Sequence, residues 1–229
     1  MAESEATIGY GTTLEIALAS DPGVWTYIAE TKTHNPPSFS DSPVEVTHMQ
    51  SPRRMREYTP GLVEPGSSEH ELNYVPGSPT DIFLESIAGK KLIARLTFTN
   101  GRQMIYSAVR EGYDRELSMD GSGSGSLTLK VSGAPTLTVV AAPRNLILPT
   151  ITGIPKVGAP LVLDEGIWAG AQDITYQWRK GGVAIVDATQ SSYVPVTADV
   201  GEPITVTVTG ANGSFSTSAV STATANVAA

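Results

Sequence analysis

A proline-rich stretch between Thr33 and Pro79 constrains the fold of this chain more than any other feature of its sequence. Eight of the 16 prolines lie in it, at positions 36, 37, 43, 52, 60, 65, 76 and 79. Because each proline fixes φ and removes a backbone donor, we expect neither a long helix nor a long alternating strand here. Irregular connections beyond roughly 12–15 residues are uncommon inside domains and are usually functional or disordered.

Apolar side chains in the same stretch argue against disorder. They are Phe39, Val44, Val46, Met49, Met55, Tyr58, Leu62, Val63, Leu72, Tyr74 and Val75. A loop cannot bury all of these groups against its own small core, so we expect another surface to cover them. The simplest partner is a second copy of the same chain.

Composition predicts a globular chain of one large or two small domains, with 229 residues, 40% hydrophobic and 17% charged. Without cysteine, disulfides, thiolate metal sites and cysteine nucleophiles are excluded. The acidic start MAESEATIGYG predicts no secretory leader, and no apolar run reaches the roughly 20 residues of a membrane span. We therefore expect a protein made in the cytoplasm, without membrane contact.

The formal net charge of −8 disfavours stable binding to nucleic acid. Such binding depends on clustered Lys and Arg that neutralise phosphates. Passive repulsion of DNA remains compatible with this charge.

The first part of the chain predicts strands and one short helix. Alternation over residues 11–19 and 24–30 indicates a strand pair, with a turn at residues 21–23. A helix is expected over residues 78–89, capped by Ser78 or Thr80, with Ile82, Phe83 and Ile87 on one face.

Two further strand pairs are expected in this first part. Asn100-Gly101 is the favoured pair for a two-residue hairpin turn between alternating segments. The Gly/Ser run at residues 121–126 is interpreted as a loop tip joining two strands, because alternation resumes directly after it.

Beyond a short connector, the composition changes to Thr, Val, Ala, Gly and Ser. Short alternating segments around Leu161, Tyr176 and Val206, separated by turn residues, indicate an antiparallel β-sandwich. The predicted fold class is mainly β. The predicted domains are residues 1–142 and 150–229, with a linker at 143–149.

Neither an active site nor a metal site is predicted. The histidines at 34, 48 and 70 have no local ligand pair and are interpreted as polar loop residues. The carboxylates Glu111, Asp114, Glu116 and Asp120 are interpreted as a solvated strand end. Arg53, Arg54 and Arg56, with nearby glutamates, fit ordinary surface pairs of about 0–1 kcal/mol each or complementary interface charge equally well. We therefore expect no enzyme and no cofactor.

The C-terminal segment resembles the bacterial and phage Ig-like repeat family. The resemblance lies in TYQWRKGGVAI at residues 175–185, SSYVPV, ADVGEPITVTV and GANGSFSTSAVS. It implies that Trp178 fills the centre between two sheets and that Asp199-x-Gly201 forms the turn before a late strand. Neither the Tyr-x-Cys motif nor a disulfide of antibody domains is present, and this fold alone fixes no function.

The first part resembles the major tail tube proteins of long-tailed, non-contractile phages. The matching segments are VEVTH at residues 44–48, EYxxGL at 57–62 and KVSG at 130–133, in the family's order over about residues 8–135. The family commonly carries an Ig-like domain at its C-terminus.

This resemblance implies a structural virion protein of the phage tail, assembled in the host cytoplasm. Family members are expected to form a β-sandwich with a flanking helix and a long interface loop, and to assemble into stacked hexameric rings. Genomic DNA would pass through the hollow tube without stable binding. The implied inter-subunit residues, on the proline-rich stretch, are Val44, Val46, Arg53, Arg54, Arg56, Tyr58 and Leu62.

The resemblance also implies partners and leaves alternatives open. The tail tip or initiator, tape-measure and tail terminator proteins would be partners, and the outward Ig-like domain could touch the cell surface weakly. Alternative functions are a secretion-system tube protein and a virion decoration or adhesin that acts as a binding module. The residues that face the lumen cannot be named, because a one-residue register slip exchanges the faces of a strand.

Overall fold

The structure, a computed structural model, describes residues 9–119 and 121–229, which form two compact units. The first unit consists of Leu14–Leu96 and Met104–Leu137, and the second of Thr97–Gln103, Thr138–Ala229 and residues 9–13. Each unit contains its own apolar cluster. Within the described part of the chain, no helix has the length and apolar character needed to cross a membrane.

Strands dominate the first unit, in agreement with the predicted fold class. Its helix α1 spans Pro79–Ser86. The strands are β1 Thr13–Leu18, β2 Asp21–Ile28, β3 Thr31–Asn35, β4 Phe39–Asp41, β5 Val44–Glu45, β6 Tyr58–Thr59, β7 Val63–Pro65, β8 Ser67–Asn73, β9 Lys91–Thr97, β10 Gln103–Glu116 and β11 Ser124–Leu137.

Seven of these strands form one sheet in the order β2-β1-β9-β10-β11-β8-β3. The strands β2 and β3 lie at opposite edges of the sheet, yet only Ala29 and Glu30 separate them in the chain. The sheet must therefore curl until its edges approach each other. A backbone hydrogen bond of 2.8 Å from Asn73 N to Glu30 O joins this connection to the end of β8.

The curled sheet and α1 enclose the core of the first unit. The fully buried side chains of this core include Leu14, Ile16, Ile28, Leu84, Ile87, Leu92, Leu96, Leu127 and Leu129. Burial of side chains this size contributes about 1.5–3 kcal/mol each before entropy is counted. This core holds β8 in place through Leu72.

The predicted helix is confirmed, but its buried face is not the predicted one. Ser78 caps α1 by accepting a hydrogen bond from Asp81 N. Leu84 and Ile87 face the core, whereas the side chain of Ile82 is 63% exposed. The three apolar residues chosen from the sequence do not share one face.

The predicted strand pairs are confirmed, but the turn between the first two strands lies earlier in the chain than expected. The β1–β2 turn lies at Ala19-Ser20, because Leu18 already pairs with Asp21, so the expected turn at residues 21–23 is wrong. A hairpin turn at Asn100-Gly101 joins β9 to β10 as predicted, but its loop has three residues, 99–101, and not two. Phe98 N donates to Arg102 O at 2.9 Å, and of the predicted pair only Gly101 has a positive φ, 79°. The strands β10 and β11 flank the Gly/Ser run, although β11 already begins inside it; Asp120 lies outside the described residues.

The second unit also consists of strands. They are β12 Arg144–Ile147, β13 Thr150–Thr152, β14 Leu161–Asp164, β15 Ile167–Ala169, β16 Asp173–Lys180, β17 Val183–Ala184, β18 Ser192–Tyr193, β19 Ile204–Ala211 and β20 Ser216–Val220. They form sheets of two (β12-β15), three (β13-β14-β18) and four strands (β17-β16-β19-β20). Within the segment predicted as a linker, β12 pairs with β15.

The three- and four-stranded sheets of this unit share one apolar cluster, as the predicted sandwich requires. Trp178 is fully buried and donates its indole N–H to Gln190 O at 2.8 Å. Asp199 begins the turn predicted from the sequence, where its carboxylate accepts hydrogen bonds from Tyr193 OH and Val196 N. Tyr193, on β18, therefore holds this turn in place. The tyrosine of the antibody Tyr-x-Cys motif lies at a different position of the fold.

Replacement of Leu84 by Ala tests how far α1 supports the first unit. We expect a loss of about 2–5 kcal/mol in the free energy of unfolding, because a fully buried side chain leaves a cavity. Ile82→Ala on the exposed side of the same helix is the control and should change it by no more than about 0.5 kcal/mol. Urea denaturation, with the amides of β9 as the probe, measures the free energy of unfolding of both variants. Equal effects would contradict the assigned face.

Candidate functional site

The proline-rich stretch forms a ribbon that leaves the sheet after β3 and returns at β8. We call residues 36–66 the arm. Within it β4 pairs with β7 and β5 pairs with β6, each over two or three residues. The expectation of no long strand holds within the arm, because prolines shorten its strands without preventing their pairing. It is wrong at β8, which has seven residues with alternating burial.

The arm exposes much of its apolar surface. Its exposed apolar side chains are Phe39, Val44, Val46, Met49, Met55, Tyr58, Leu62 and Val63. They range from 47% exposed at Val46 to essentially complete exposure at Met49. Exposed apolar side chains concentrated on one segment in this number indicate an interaction site in a soluble protein. All seven residues predicted for an inter-subunit interface lie on the arm; that role stays a prediction.

The tip of the arm presents two arginines on an unusual backbone. Arg53 and Arg54 lie in a 3₁₀ turn at Pro52–Arg54 with φ values of 56° and 59°. Non-glycine residues at positive φ are uncommon, and such conformations cost of order 1–3 kcal/mol each. Both side chains are exposed, and within the described residues neither makes an ion pair.

The other charges of the arm are paired locally. Arg56 Nη1 lies 3.5 Å from Glu45 Oε2, on the opposite strand of the ribbon. Glu57 accepts a hydrogen bond from Ser51 Oγ and lies 3.7 Å from His48 Nε2. These exposed pairs contribute little to stability, of order 0–1 kcal/mol each. Of the three predicted arginines, only Arg53 and Arg54 are left for another partner.

The two sides of the ribbon approach closely at Gly61. A Cβ atom at this position would lie 2.0 Å from Ser42 O, which backbone atoms cannot accommodate without shifting. Ser42 N donates to Leu62 O across the same place, at 3.3 Å. The glycine is therefore needed for the path of the arm, within the EYxxGL segment.

A polar cluster, buried at Ser68, His70 and Tyr106, lies where the arm joins the sheet. Its members are His34 and Asn35 on β3, Ser68 and His70 on β8, and Tyr106 on β10; we call it the root cluster. Ser68 Oγ donates to Asn35 O at 2.9 Å and lies 2.9 Å from both His70 Nε2 and Tyr106 OH. His34 Nδ1 lies 3.0 Å from His70 Nδ1.

Burial decides the protonation of this cluster. His70 has no exposed surface, and burial, followed by the adjacent His34, lowers the pKa of His70 from 6.5 to about 3. Burial also raises the pKa of Tyr106 to about 12, although its bond with Ser68 opposes the shift. Both groups are therefore neutral at pH 7.

The root cluster was missed from the sequence. The interpretation of His34 and His70 as polar loop residues is wrong, since both lie on strands; His48 does lie exposed on the arm. The available signal was the alternation in SSEHELN, where Ser68, His70 and Leu72 point inward. Polar residues at two of these inward positions concealed it.

An acidic face covers the solvent side of four neighbouring strands, β3, β8, β11 and β10. Its carboxylates are Glu69, Glu71, Glu111, Asp114 and Glu116, all exposed. Cross-strand pairing joins Asp114 to Ser126 and Ser126 to Glu71, which places these side chains on one face.

Hydroxyl groups and lysines border this acidic face. Ser67 Oγ donates to Glu111 at 2.7 Å, and Thr33 Oγ1 donates to Glu71 at 3.2 Å. Lys130 pairs with Ser67 at one end, and Lys32 lines a cavity of about 420 Å³ beside Glu71. The predicted solvated strand end is thus part of a wider surface. In the described part of the chain, no three carboxylates or histidines are arranged to hold a metal ion.

Two solved structures share the fold of this chain. One, described as the tail of an empty GTA particle with C6 symmetry, has a TM-score of 0.50 and 20% identity, over 58% of this chain and 100% of that one. The other, the anti-feeding prophage (AFP) baseplate with sixfold symmetry applied, has a TM-score of 0.51 and 11% identity, over 60% and 99%. Identities this low show likeness of fold only.

Sequence comparison identifies the family. No curated protein is significantly similar to the chain. The family described as lambda phage tail tube protein, TTP, matches residues 9–138, which include the arm, the root cluster and the acidic face. This match covers more than half of the chain and agrees with the resemblance drawn from its short motifs. The chain therefore belongs to the lambda phage tail tube protein family, a family of structural virion proteins of the phage tail and not of enzymes.

Proposed function

We propose that copies of this chain associate through the arm into stacked hexameric rings, which form a hollow tail tube. The exposed apolar surface of the arm carries this proposal. A ribbon this narrow cannot enclose its own apolar side chains, and burial against a neighbour would contribute about 25 cal/mol per Å² of apolar surface covered. A neighbouring subunit supplies the missing layer.

The tip of the arm supports charge complementarity in this contact. Arg53 and Arg54 project from a turn held in an unfavourable backbone conformation, which points to a role that compensates for the strain. In a subunit of net charge −8, exposed arginines are attracted to the surface of any other copy. They would fix the register between subunits, while the apolar groups supply most of the affinity.

The acidic face is proposed to line the passage for DNA. Its carboxylates form a layer that repels phosphates, and a conduit must not hold DNA through the Lys and Arg contacts that dominate nucleic-acid affinity. Ejected DNA would pass this wall without stable binding.

The C-terminal part is proposed to be an Ig-like domain that projects outward from the tube. The buried Trp178 and the turn held by Asp199 support this assignment, and the domain division 1–142 and 150–229 goes with it. Weak contact with the cell surface is its proposed role. The tail tip, tape-measure and tail terminator proteins are the proposed partners at the ends and inside the tube.

Electron microscopy of the purified protein tests self-association. Replacement of the arginines of the arm by glutamate tests whether the arm forms the contact. We expect wild-type protein to form rings or tubes and the Arg53→Glu, Arg54→Glu, Arg56→Glu variant to remain dispersed but folded, because like charges then face each other. The control is Lys90→Glu, Lys91→Glu, Lys156→Glu, which makes the same change from −8 to −14 (−8 − 6) at exposed sites outside the arm.

Two outcomes would contradict this scheme. Wild-type protein that stays monomeric at high concentration, even with the tail initiator complex added, would refute self-association. Normal tubes from the variant with reversed arginines would show that these arginines are ordinary surface charge.

Gly61→Ala separates the path of the arm from its charges. The new methyl group meets Ser42 O, so we expect the ribbon to open, arm amides to exchange faster and assembly to weaken. The unfolding of the sheet should change little, because the exposed side chains of the arm add little to the core. Gly23→Ala is the control, since a Cβ there meets nothing within 4 Å. Unchanged exchange and assembly would refute the role of Gly61.

Reversal of charge on the acidic face should create affinity for DNA. We expect assembled tubes of the Glu69→Lys, Glu71→Lys variant to bind a short DNA duplex at low salt, with affinity that falls as salt rises. Asp173→Lys, Glu202→Lys makes the same change from −8 to −4 (−8 + 4) in the second unit and should bind more weakly. Fluorescence anisotropy measures both. Equal binding by the two variants would contradict a specific role for this face.

A further inference from the structure

The root cluster lies where the two ends of the arm join the sheet. The last residue of β3 is Asn35 and the first residue of β8 is Ser67, so every residue of the arm lies between these strands. Side chains of the cluster join the same two strands: Ser68 bonds the Asn35 carbonyl, and the ring of His34 contacts that of His70. The cluster therefore sets how firmly the arm is held.

The contact between the two histidines requires one donor and one acceptor. Their Nδ1 atoms lie 3.0 Å apart, so one nitrogen carries a hydrogen and donates the hydrogen bond, and the other nitrogen accepts that bond. Two protonated rings would bring two N–H groups, and two positive charges, against each other. The contact is therefore incompatible with full protonation of the pair.

The surroundings of His70 offer no negative charge that could stabilise a cation. From β10 the facing titratable group is Tyr106, which is neutral; from β3 it is His34; from β11 the paired residue is Leu127. On β8 itself, Glu69 and Glu71 point to the opposite face. In the described residues no carboxylate lies within ion-pair distance of His70.

We propose that the root cluster is an acid-sensitive anchor: protonation of His70, which leaves both rings of the His34–His70 pair protonated, separates β3 from β8, releases the arm and abolishes self-association. The inference rests on the proposed role of the arm in assembly. The edge position of β3 makes its local release compatible with a folded sheet, because β3 has one partner strand and the core involves the other strands. Acid would therefore act on the arm before it acts on the whole unit.

The direction of the pH dependence follows from the depressed pKa of His70. The open form binds a proton at about pH 6.5 and the closed form only near pH 3, so the contribution to stability is complete above 6.5. It is lost progressively as the pH falls below 6.5, with the opening equilibrium rising about tenfold per pH unit.

Hydrogen exchange of the full chain at low concentration tests the anchor without requiring assembly. After correction for intrinsic exchange rates, protection of β3 and arm amides should fall about tenfold per unit between pH 6.5 and about pH 5. Amides of β9 should keep their protection over this range. Sedimentation at higher concentration should show dissociation over the same interval.

The same replacement, His→Gln, made in the root cluster and at an exposed position distinguishes the anchor from general effects of acid. The His34→Gln, His70→Gln double variant should lose this pH dependence of arm protection. His48→Gln, which changes an exposed histidine of the arm, should behave as wild type. If the double variant does not fold, His70→Gln alone should flatten the dependence, and the ring signals of wild-type His70 should titrate well below pH 6.5 by NMR.

The outcomes discriminate between the two proposals. Arm protection that stays constant in wild type from pH 6.5 to 5, or an unchanged dependence in the variants that remove His70, would overturn the anchor. Failure to assemble at pH 7.5 with the expected arm behaviour would refute the proposed self-association and leave the anchor standing.

Discussion

Pairing of β3 with β8 is the interaction on which the arm depends. These strands lie at one edge of a seven-stranded sheet, and the arm is the long connection between them. The core residue Leu72 and the bonds among Ser68, His70 and Tyr106 hold β8 in place from within. The contacts of Ser68 with Asn35 and of His70 with His34 join β3 to β8. The arm is thus attached to a strand, β8, that is packed on the core, although the side chains of the arm itself are largely exposed.

The same strands separate two kinds of surface. Along β8, His70 and Leu72 point to the core while Glu69 and Glu71 point to solvent. One strand therefore contributes to the root of the arm and to the acidic face at once. A register slip of one residue would place carboxylates in the core and apolar groups on the acidic face. Burial costs of several kcal/mol for an unpaired carboxylate keep the register fixed.

Prediction from the sequence succeeded where local chemistry decides the structure. Ser78 and Pro79 specified the start of α1, and Asn100-Gly101 specified a hairpin turn. It failed where tertiary contacts decide: β8 was missed because its inward Ser68 and His70 are polar, and Ile82 was assigned to a buried face because apolar character alone does not show which side a short helix presents. The arm was identified as an apolar surface in need of a partner, but its ribbon was not.

The sequence by itself determined a mainly β chain, its family and the residues of an exposed arm, because turn residues, alternation and a long series of prolines act locally and leave few alternatives. The tertiary structure alone decided what meets at the base of that arm. His34 and His70 are 36 residues apart in the chain, and only antiparallel pairing of β3 with β8 brings their Nδ1 atoms to 3.0 Å. Carboxylates of β8 and β10 likewise become one acidic face only through cross-strand register, with β11 between them. Such contacts between residues that are distant in the chain depend on how the whole sheet curls around its core, and no local sequence pattern encodes that curl.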